Sequence, residues 1–406
     1  AAGGVTAAVL VFLLWGLNGF PLGNDEAAYA RRAAMEWPEF WTWVIPDNVP
    51  PLYPVLVKLW AGWTGLDPLA LRLPGALVAA ACLPLFFFWT RKRFGPLIAG
   101  FALGLLAISP FYLFLGRIAK YFSLFGCLVC VALALTWRLA AEEEETPLRR
   151  LKGAVCAWGI ALLAALWIQY LALAVWFSLG AWLLWRWKRG SRRARNLLGI
   201  QCVFFAGFLP WLPVAFARVI TFSQSARGEA PDAPALRLAG QIAYTAYAFA
   251  VGHTLEPSHW LLAGLSVASF LLLTLAGIWL AARRTGSPLA RFLLIQAALT
   301  GLVSFLILRI FAPLHPILSY AERLGFLLPV ILVFPALALA RMGRIPRTAF
   351  LAAYLPGVVF SLFCLGANRA NLQWEYRIPW EQIRARTLSE GEPCVLVIDD
   401  WSLGSR

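Results

Sequence analysis

"VTAAVLVFLLWGLNGFPLGNDEAAYA" occupies residues 5–30. Its first part, as far as Phe20, holds no charged side chain, yet Asp25 and Glu26 follow within a few residues. An uncharged run of this length suits a helix in hydrocarbon, which needs about 20 apolar residues to cross. The two acids then sit just beyond the bilayer edge.

The same texture continues along the chain. Of its 406 residues, 61% are hydrophobic and 14% charged, with a mean hydropathy of +0.72. A soluble domain is about half apolar and a quarter charged, so this is a polytopic membrane protein. It supplies roughly eleven stretches long enough to span, at 5–20, 70–90, 96–115, 118–138, 153–168, 170–187, 197–217, 259–281, 289–309, 324–341 and 347–366. None alternates with period two, so the expected class is an all-α helical bundle rather than a barrel.

The net charge of +15 has a topological explanation. With the N-terminus in the cytosol, segments 91–93, 138–152, 186–195, 283–291 and 341–347 face inward. They hold 19 of the 35 Lys and Arg and four of the 20 acids, Glu142 to Glu145. The remaining charges face outward and cancel. The whole excess lies on one side, as the positive-inside rule requires. "RKR" and "RWKRGSRRAR" are therefore topology signals and contacts for membrane lipids, with no nucleic acid implied. The expected location is the plasma or inner membrane.

Seven cysteines, six of them inside apolar runs, make no disulfide framework. "CLVC" at 127–130 sits mid-helix without a second pair, and reads as helix packing. No signal-peptide pattern is visible, so the first apolar run is expected to stay as a helix. The Trp residues gather near segment ends, as interfacial belts do.

The outward loops are the elaborated ones. The first runs over 21–69 and the second over 218–258, with a third, "APLHPILSYAE", at 312–322. Residues 1–366 form the membrane domain. Residues 367–406 form an extracytoplasmic tail, with a surface helix at 380–388 and a strand in "CVLVIDDW". One strand does not stand alone. It either docks on the membrane domain or opens a soluble domain continuing beyond this sequence.

Several clusters could carry chemistry. Asp25 and Glu26 follow Asn24, an N-cap residue type, and acids in a first turn favour the helix dipole. "DEAAYARRAAMEW" then makes one interfacial helix. A carboxylate at the membrane surface also suits a general base. In "PDNVPPLYPVLVKLW" the double proline forces a turn before a helix that carries Tyr53 in its first turn, and swings Asp47 back toward Asp25. In "FLGRIAKYFSLFG", Arg117, Lys120 and Tyr121 fall at i, i+3 and i+4 on one helix face. They read either as snorkelling cations or as a phosphate cradle. Tyr320, Glu322 and Arg323 stand at the outer end of another segment; Glu322 and Arg323 read as an interfacial charge pair, or Arg323 joins the cations above. His253, His259 and His315 are spaced too widely for a metal site and read as loop histidines.

In this order the motifs resemble the GT-C superfamily of membrane glycosyltransferases. The closest type is glycosyltransferase family 39, with its protein O-mannosyltransferases and lipid A aminoarabinose transferases. The matches are "DEAAYA", "DNVPPLYP", "LRLPGAL", "GRIAKYFSLF", "YAFAVGHTLEPS" and "YAERLGFLLPV". The resemblance implies a GT-C fold of about 11 spans with juxtamembrane helices in the first outer loop. It implies transfer of a sugar from a polyprenyl-phosphate donor to a glycan, lipid or protein acceptor outside the cell. Asp25 would be the base and Glu26 its paired acid. Arg117, Lys120 and Arg323 would hold the lipid phosphate, with Asp47, Tyr53, Tyr121 and Tyr320 lining the substrate site. A charged residue before the double proline is replaced here by Val49, which leaves the role of Asp47 open. No cofactor is firmly implied. A divalent metal is compatible, but no ligand cluster demands one.

Base and phosphate on opposite faces of the sugar would give inversion. Two other readings remain. A transporter or flippase of a lipid-linked glycan would carry ionisable residues in mid-membrane, and the apolar runs are nearly free of them. An assembly subunit would tolerate loss of the Asp25 carboxylate.

Overall fold

The structure, a computed structural model, describes residues 2–19, 22–47, 49–225, 234–255, 259–283, 286–311 and 317–367. The described residues form helices and turns, with no strand among them. The helix and strand expected in the tail, and His315, lie outside the described residues.

Helix α1 (Ala2–Leu14) leads into the first long loop. That loop holds three short helices, α2 (Asn24–Ala34), α3 (Trp37–Val44) and α4 (Leu52–Thr64). These are the juxtamembrane helices that the resemblance implied. The interfacial helix expected to run through Trp37 is cut in two, because Met35 and Glu36 adopt extended backbone and Pro38 opens α3. The double proline behaves as expected: Pro51 caps α4, and Tyr53 lies in its first turn.

Helix α5 (Pro68–Phe94) shows how local sequence sets the boundaries. The Asp67 carboxylate accepts the backbone N–H groups of Leu69 and Ala70 at 3.1 Å each, Pro68 supplies a first-turn φ, and three basic residues fill the last turn. Gly95, at φ 86°, ends it. Helix α6 (Pro96–Ala107) then starts at once and bends by 56° into α7 (Pro110–Arg117).

The rest of the bundle comprises α8 (Phe122–Trp137), α9 (Lys152–Ile168), α10 (Ala172–Lys188), α11 (Arg192–Ala206), α12 (Leu212–Ser225), α13 (Pro234–Val251), α14 (Trp260–Ala282), α15 (Pro288–Phe311), α16 (Ile317–Leu324), α17 (Leu328–Arg341) and α18 (Arg344–Gly366). Among the described residues, seven helices are long and apolar enough to cross a membrane, or up to nine if each bent pair is one span. This is a multi-pass membrane protein. The 218–258 segment, expected as a loop, is not all loop: α12 runs on to Ser225 and α13 occupies Pro234–Val251.

The segment Tyr320–Arg341 forms the centre, with 83% of its apolar window buried against 33% for α5, α14 and α18. Those outer helices show Leu85, Phe88, Leu272 and Val359 outward, apolar side chains that lipid accepts. Gly277 lets α14 rest on the backbone of Phe334 in α17, where any Cβ would collide with the carbonyl.

The basic segments converge at one end. Arg93 pairs with Glu142 at 2.7 Å, joining the ends of α5 and α8. Arg186 pairs with Glu144, and Arg193 donates to the carbonyls of Glu143 and Glu144. The helical run from Phe122 to Glu142 has 21 residues. It therefore reaches about 30 Å from this cluster to the opposite end of the bundle, where the residues with candidate chemistry lie.

Candidate active site

At that opposite end α2 delivers its two acids to different surroundings. Successive helix residues point about 100° apart, so neighbours seldom share a role. The Asp25 side chain is 70% exposed, and its Oδ2 lies 2.9 Å from Lys120 Nζ. Glu26 turns inward and is fully buried. Arg72, from the first turns of α5, donates to it through Nε (2.9 Å) and Nη2 (2.8 Å). The backbone N–H groups of Gly23 (2.9 Å) and Ala119 (2.6 Å) complete the set. Gly23, rather than Asn24, caps the helix. Arg72 also donates to the Leu17 carbonyl at 2.8 Å. Glu26 thus accepts four N–H groups from α5, the α2 N-terminus and the turn after α7, and Arg72 carries the link on to the residues after α1.

Lys120 sits in the break between α7 and α8. Ile118 leaves the helix at φ −106°, ψ 143°, so Arg117, Lys120 and Tyr121 do not share the helix face expected of them. Arg117 turns to α1 instead. It is fully buried, donates to the Phe12 carbonyl at 3.2 Å and lies over the Phe12 ring. Lys120 stays at the site, 7% exposed, between Asp25 and a second acid, Glu322 of α16, 3.9 Å away. Tyr121 faces Tyr53 edge-on at 6.0 Å, and the Gln169 amide donates to its hydroxyl.

Tyr29, Tyr53 and Tyr121 form a phenol ladder beside Asp25, with Tyr29 and Tyr53 edge-on at 5.2 Å. Burial pushes the Tyr29 phenol well up, with Tyr121, Asp25, Tyr53 and Asp47 adding to the shift. Burial likewise raises Tyr53, followed by Glu26 and Tyr121. Tyr121 is raised by burial, pulled down by Arg323 and Lys120, and pushed up by Asp25 and Glu322. All three remain neutral hydrogen-bond donors, and these influences place Arg323 near the same ring. Asp47 is held by Arg32, and its field reaches Tyr29. Tyr320 is elsewhere: fully buried, it donates to the Leu308 carbonyl at 3.2 Å and packs on Phe305.

His253 lies in a loop, between α13 and α14, as expected, but it is not at the surface: it is buried beside the site, 1% exposed. Gly252 makes this placement possible. It has φ +78°, and a Cβ there would meet Pro110 Cβ at 2.9 Å and the Phe111 nitrogen at 3.1 Å. The imidazole packs edge-on against Phe111 (5.0 Å) and Phe114 (5.1 Å) and parallel to Tyr244. Its Nδ1 bonds the Tyr244 hydroxyl, and its Nε2 faces Glu322 Oε1 at 3.7 Å. Burial, then Lys120, pull its pKa down to about 3. Glu322 and Arg72 were likewise missed as site residues. Both stood in quoted motifs, and an arginine entering an apolar span was the available signal.

Behind Lys120 opens an apolar cavity of about 310 Å³ between α5, α8 and α17. It begins at Phe122 and Ser123, the residues just after the Lys120–Tyr121 turn, and continues past Gly126, Cys127, Cys130, Cys82 and Val333. "CLVC" therefore lines a cavity and does not merely pack a helix. Among the described residues no three His, Cys, Asp or Glu side chains converge to hold a metal ion.

No family model and no curated protein matches this sequence. Solved structures do. ArnT from Cupriavidus metallidurans bound to undecaprenyl phosphate superposes with a TM-score of 0.60 at 16% identity, over 90% of this chain. The apo state of the same protein gives 0.56 at 16% identity, over 86%. The chain spans 65% and 61% of the lengths of those two structures. The fold of this chain is the one found in ArnT, the GT-C fold that its motifs implied.

Proposed function

We propose that the chain transfers a sugar from a polyprenyl-phosphate donor to an acceptor hydroxyl at the extracytoplasmic face of the membrane. One observation carries this reading: the Asp25 carboxylate and the Lys120 ammonium meet 2.9 Å apart, and the Phe122 ring beside that ammonium lines an apolar cavity. The ends joined by Arg93, Arg186 and Arg193 would face the cytoplasm, which leaves the site outside.

The chemistry follows from the residues. The cavity accepts prenyl units of the donor, whose phosphate then stands at Lys120 and Arg323. The acceptor oxygen attacks the anomeric carbon while its proton passes to Asp25. The bond from that carbon to the phosphate oxygen breaks, and the oxygen keeps the electron pair. The growing phosphate charge is opposed by the Lys120 ammonium. Attack from the face opposite the phosphate inverts the anomeric centre. Neutral Tyr29, Tyr53 and Tyr121 offer hydroxyls to sugar oxygens. Glu26 takes a positioning role, since its carboxylate is fully engaged by Arg72 and two backbone amides. No step is routed through a metal. ArnT, bound to undecaprenyl phosphate in its crystal structure, is the precedent for such a lipid on this fold.

The test uses purified protein in lipid nanodiscs with a polyprenyl-phosphate sugar and an acceptor, following release of the free lipid phosphate. Asp25→Asn should lower the rate by ~10²-fold or more. Undiminished turnover in that variant would place the base elsewhere.

A further inference from the structure

The proposed chemistry meets an obstacle in the structure itself. The carboxylate meant to act as base is tied to the cation meant to hold the phosphate. Lys120 has a second acid within reach, and the two acids differ. Asp25 is 70% exposed at its side chain, whereas Glu322 is 4% exposed and lies 3.9 Å from the ammonium. Asp25 is largely solvated and so gives up a partner at little cost, while a buried charge left without a partner is costly. An arriving anion therefore displaces Asp25 from Lys120 and leaves Glu322 in place.

Glu322 has an imidazole beside it. Its Oε1 faces His253 Nε2 at 3.7 Å, and that nitrogen has no hydrogen-bond partner among the described residues. The tautomer that suits both neighbours carries its proton on Nε2, with the Tyr244 hydroxyl donating to Nδ1. The ring is pinned by Phe111, Phe114 and Tyr244 and stays uncharged. It stands beside Glu322 without neutralising it.

We infer that Glu322, with the uncharged His253 ring beside it, is the permanent counter-ion of Lys120, and that the donor's phosphate takes the place of Asp25 on that ammonium. The base is thereby released only when a donor is bound. Glu322 is a positioning residue: it touches neither sugar nor phosphate and acts through Lys120. This inference rests on the donor reading above and adds an order of events to it.

The experiment measures binding of undecaprenyl phosphate to the purified protein, with undecaprenol as the uncharged control, alongside donor and acceptor KM. Asp25→Asn removes the competitor for Lys120 and should tighten phosphate binding by several-fold, although turnover collapses. Glu322→Gln should weaken binding by about tenfold and raise the donor KM more than the acceptor KM. Simple charge repulsion predicts the reverse, since loss of a nearby acid would favour an anion. Glu322→Asp should restore most of the affinity, which a purely structural role would not require.

Unchanged or tighter phosphate binding in Glu322→Gln overturns the inference. If that variant fails to fold, the Asp25→Asn measurement decides alone, and unchanged or weaker binding there overturns it. A wild-type protein that binds undecaprenyl phosphate no better than undecaprenol overturns the donor reading itself, and this inference with it.

Discussion

At the residue scale, the pair Asp25–Glu26 shows how little adjacency in sequence says about role. One helical step separates an exposed carboxylate on Lys120 from a buried one on Arg72. The sequence marks both as acids at a helix start and cannot tell them apart, because the partners Arg72 and Ala119 arrive from far along the chain. The difference is measurable. Glu26→Gln leaves the Arg72 guanidinium buried against a neutral amide and should cost about 3–5 kcal/mol of stability, read as a large fall in melting temperature and yield. Asp25→Asn should leave the melting temperature almost unchanged. His253 offers a pH test. Its pKa is lowered from 6.5 to about 3 in the folded protein. Between those values the unfolded chain binds a proton that the folded one does not, so stability falls as pH drops below 6.5. The loss should be on the order of 2 kcal/mol by pH 5. Melting curves across pH 4–8 should show this acid-side slope in the wild type and a shallower one in His253→Gln. Equal slopes would show that another group sets the acid limb.

At the element scale, the long apolar helices were legible because composition alone specifies them. Between 68 and 366 most of the expected segments fall on helices within a few residues of their ends. Breaks without punctuation were not legible. Residues 118–121 contain neither Gly nor Pro, yet Ile118 adopts extended backbone. That single turn sends Arg117 to α1 and leaves Lys120 at the site. Helix α13 was hidden by Arg237, Gln241, Tyr244 and Thr245, which dilute its apolar pattern, and its face becomes intelligible only against α16. His253 was hidden because its neighbours Phe111, Phe114 and Glu322 lie on other elements. The Gly252 turn that delivers it should be intolerant. Gly252→Ala adds a Cβ against Pro110 at a positive φ and should destabilise the protein by about 1–3 kcal/mol. It should also lower donor affinity by shifting His253 from Glu322. A Gly252→Ala protein with normal stability and donor binding would show that this turn is relaxed.

At the scale of the whole molecule, charge and chemistry occupy opposite ends of one bundle. The basic clusters around Arg93, Arg186 and Arg193 bind acids and carbonyls at one end, and Lys120 meets Asp25 at the other. In a background without native cysteines, Glu145→Cys should react with an impermeant maleimide only from the cytoplasmic side. Trp63→Cys, at the 89% exposed tip of α4, should react only from outside, and the opposite pattern would reverse the orientation. The proposed function puts lipid phosphate at Lys120, with prenyl carbons in the cavity lined from Phe122 onward. A structure determined with undecaprenyl phosphate bound should show a phosphate oxygen within hydrogen-bond distance of Lys120 Nζ, with Asp25 Oδ2 moved off that nitrogen and Glu322 unmoved. A phosphate bound elsewhere, with the Asp25–Lys120 pair intact, would contradict it.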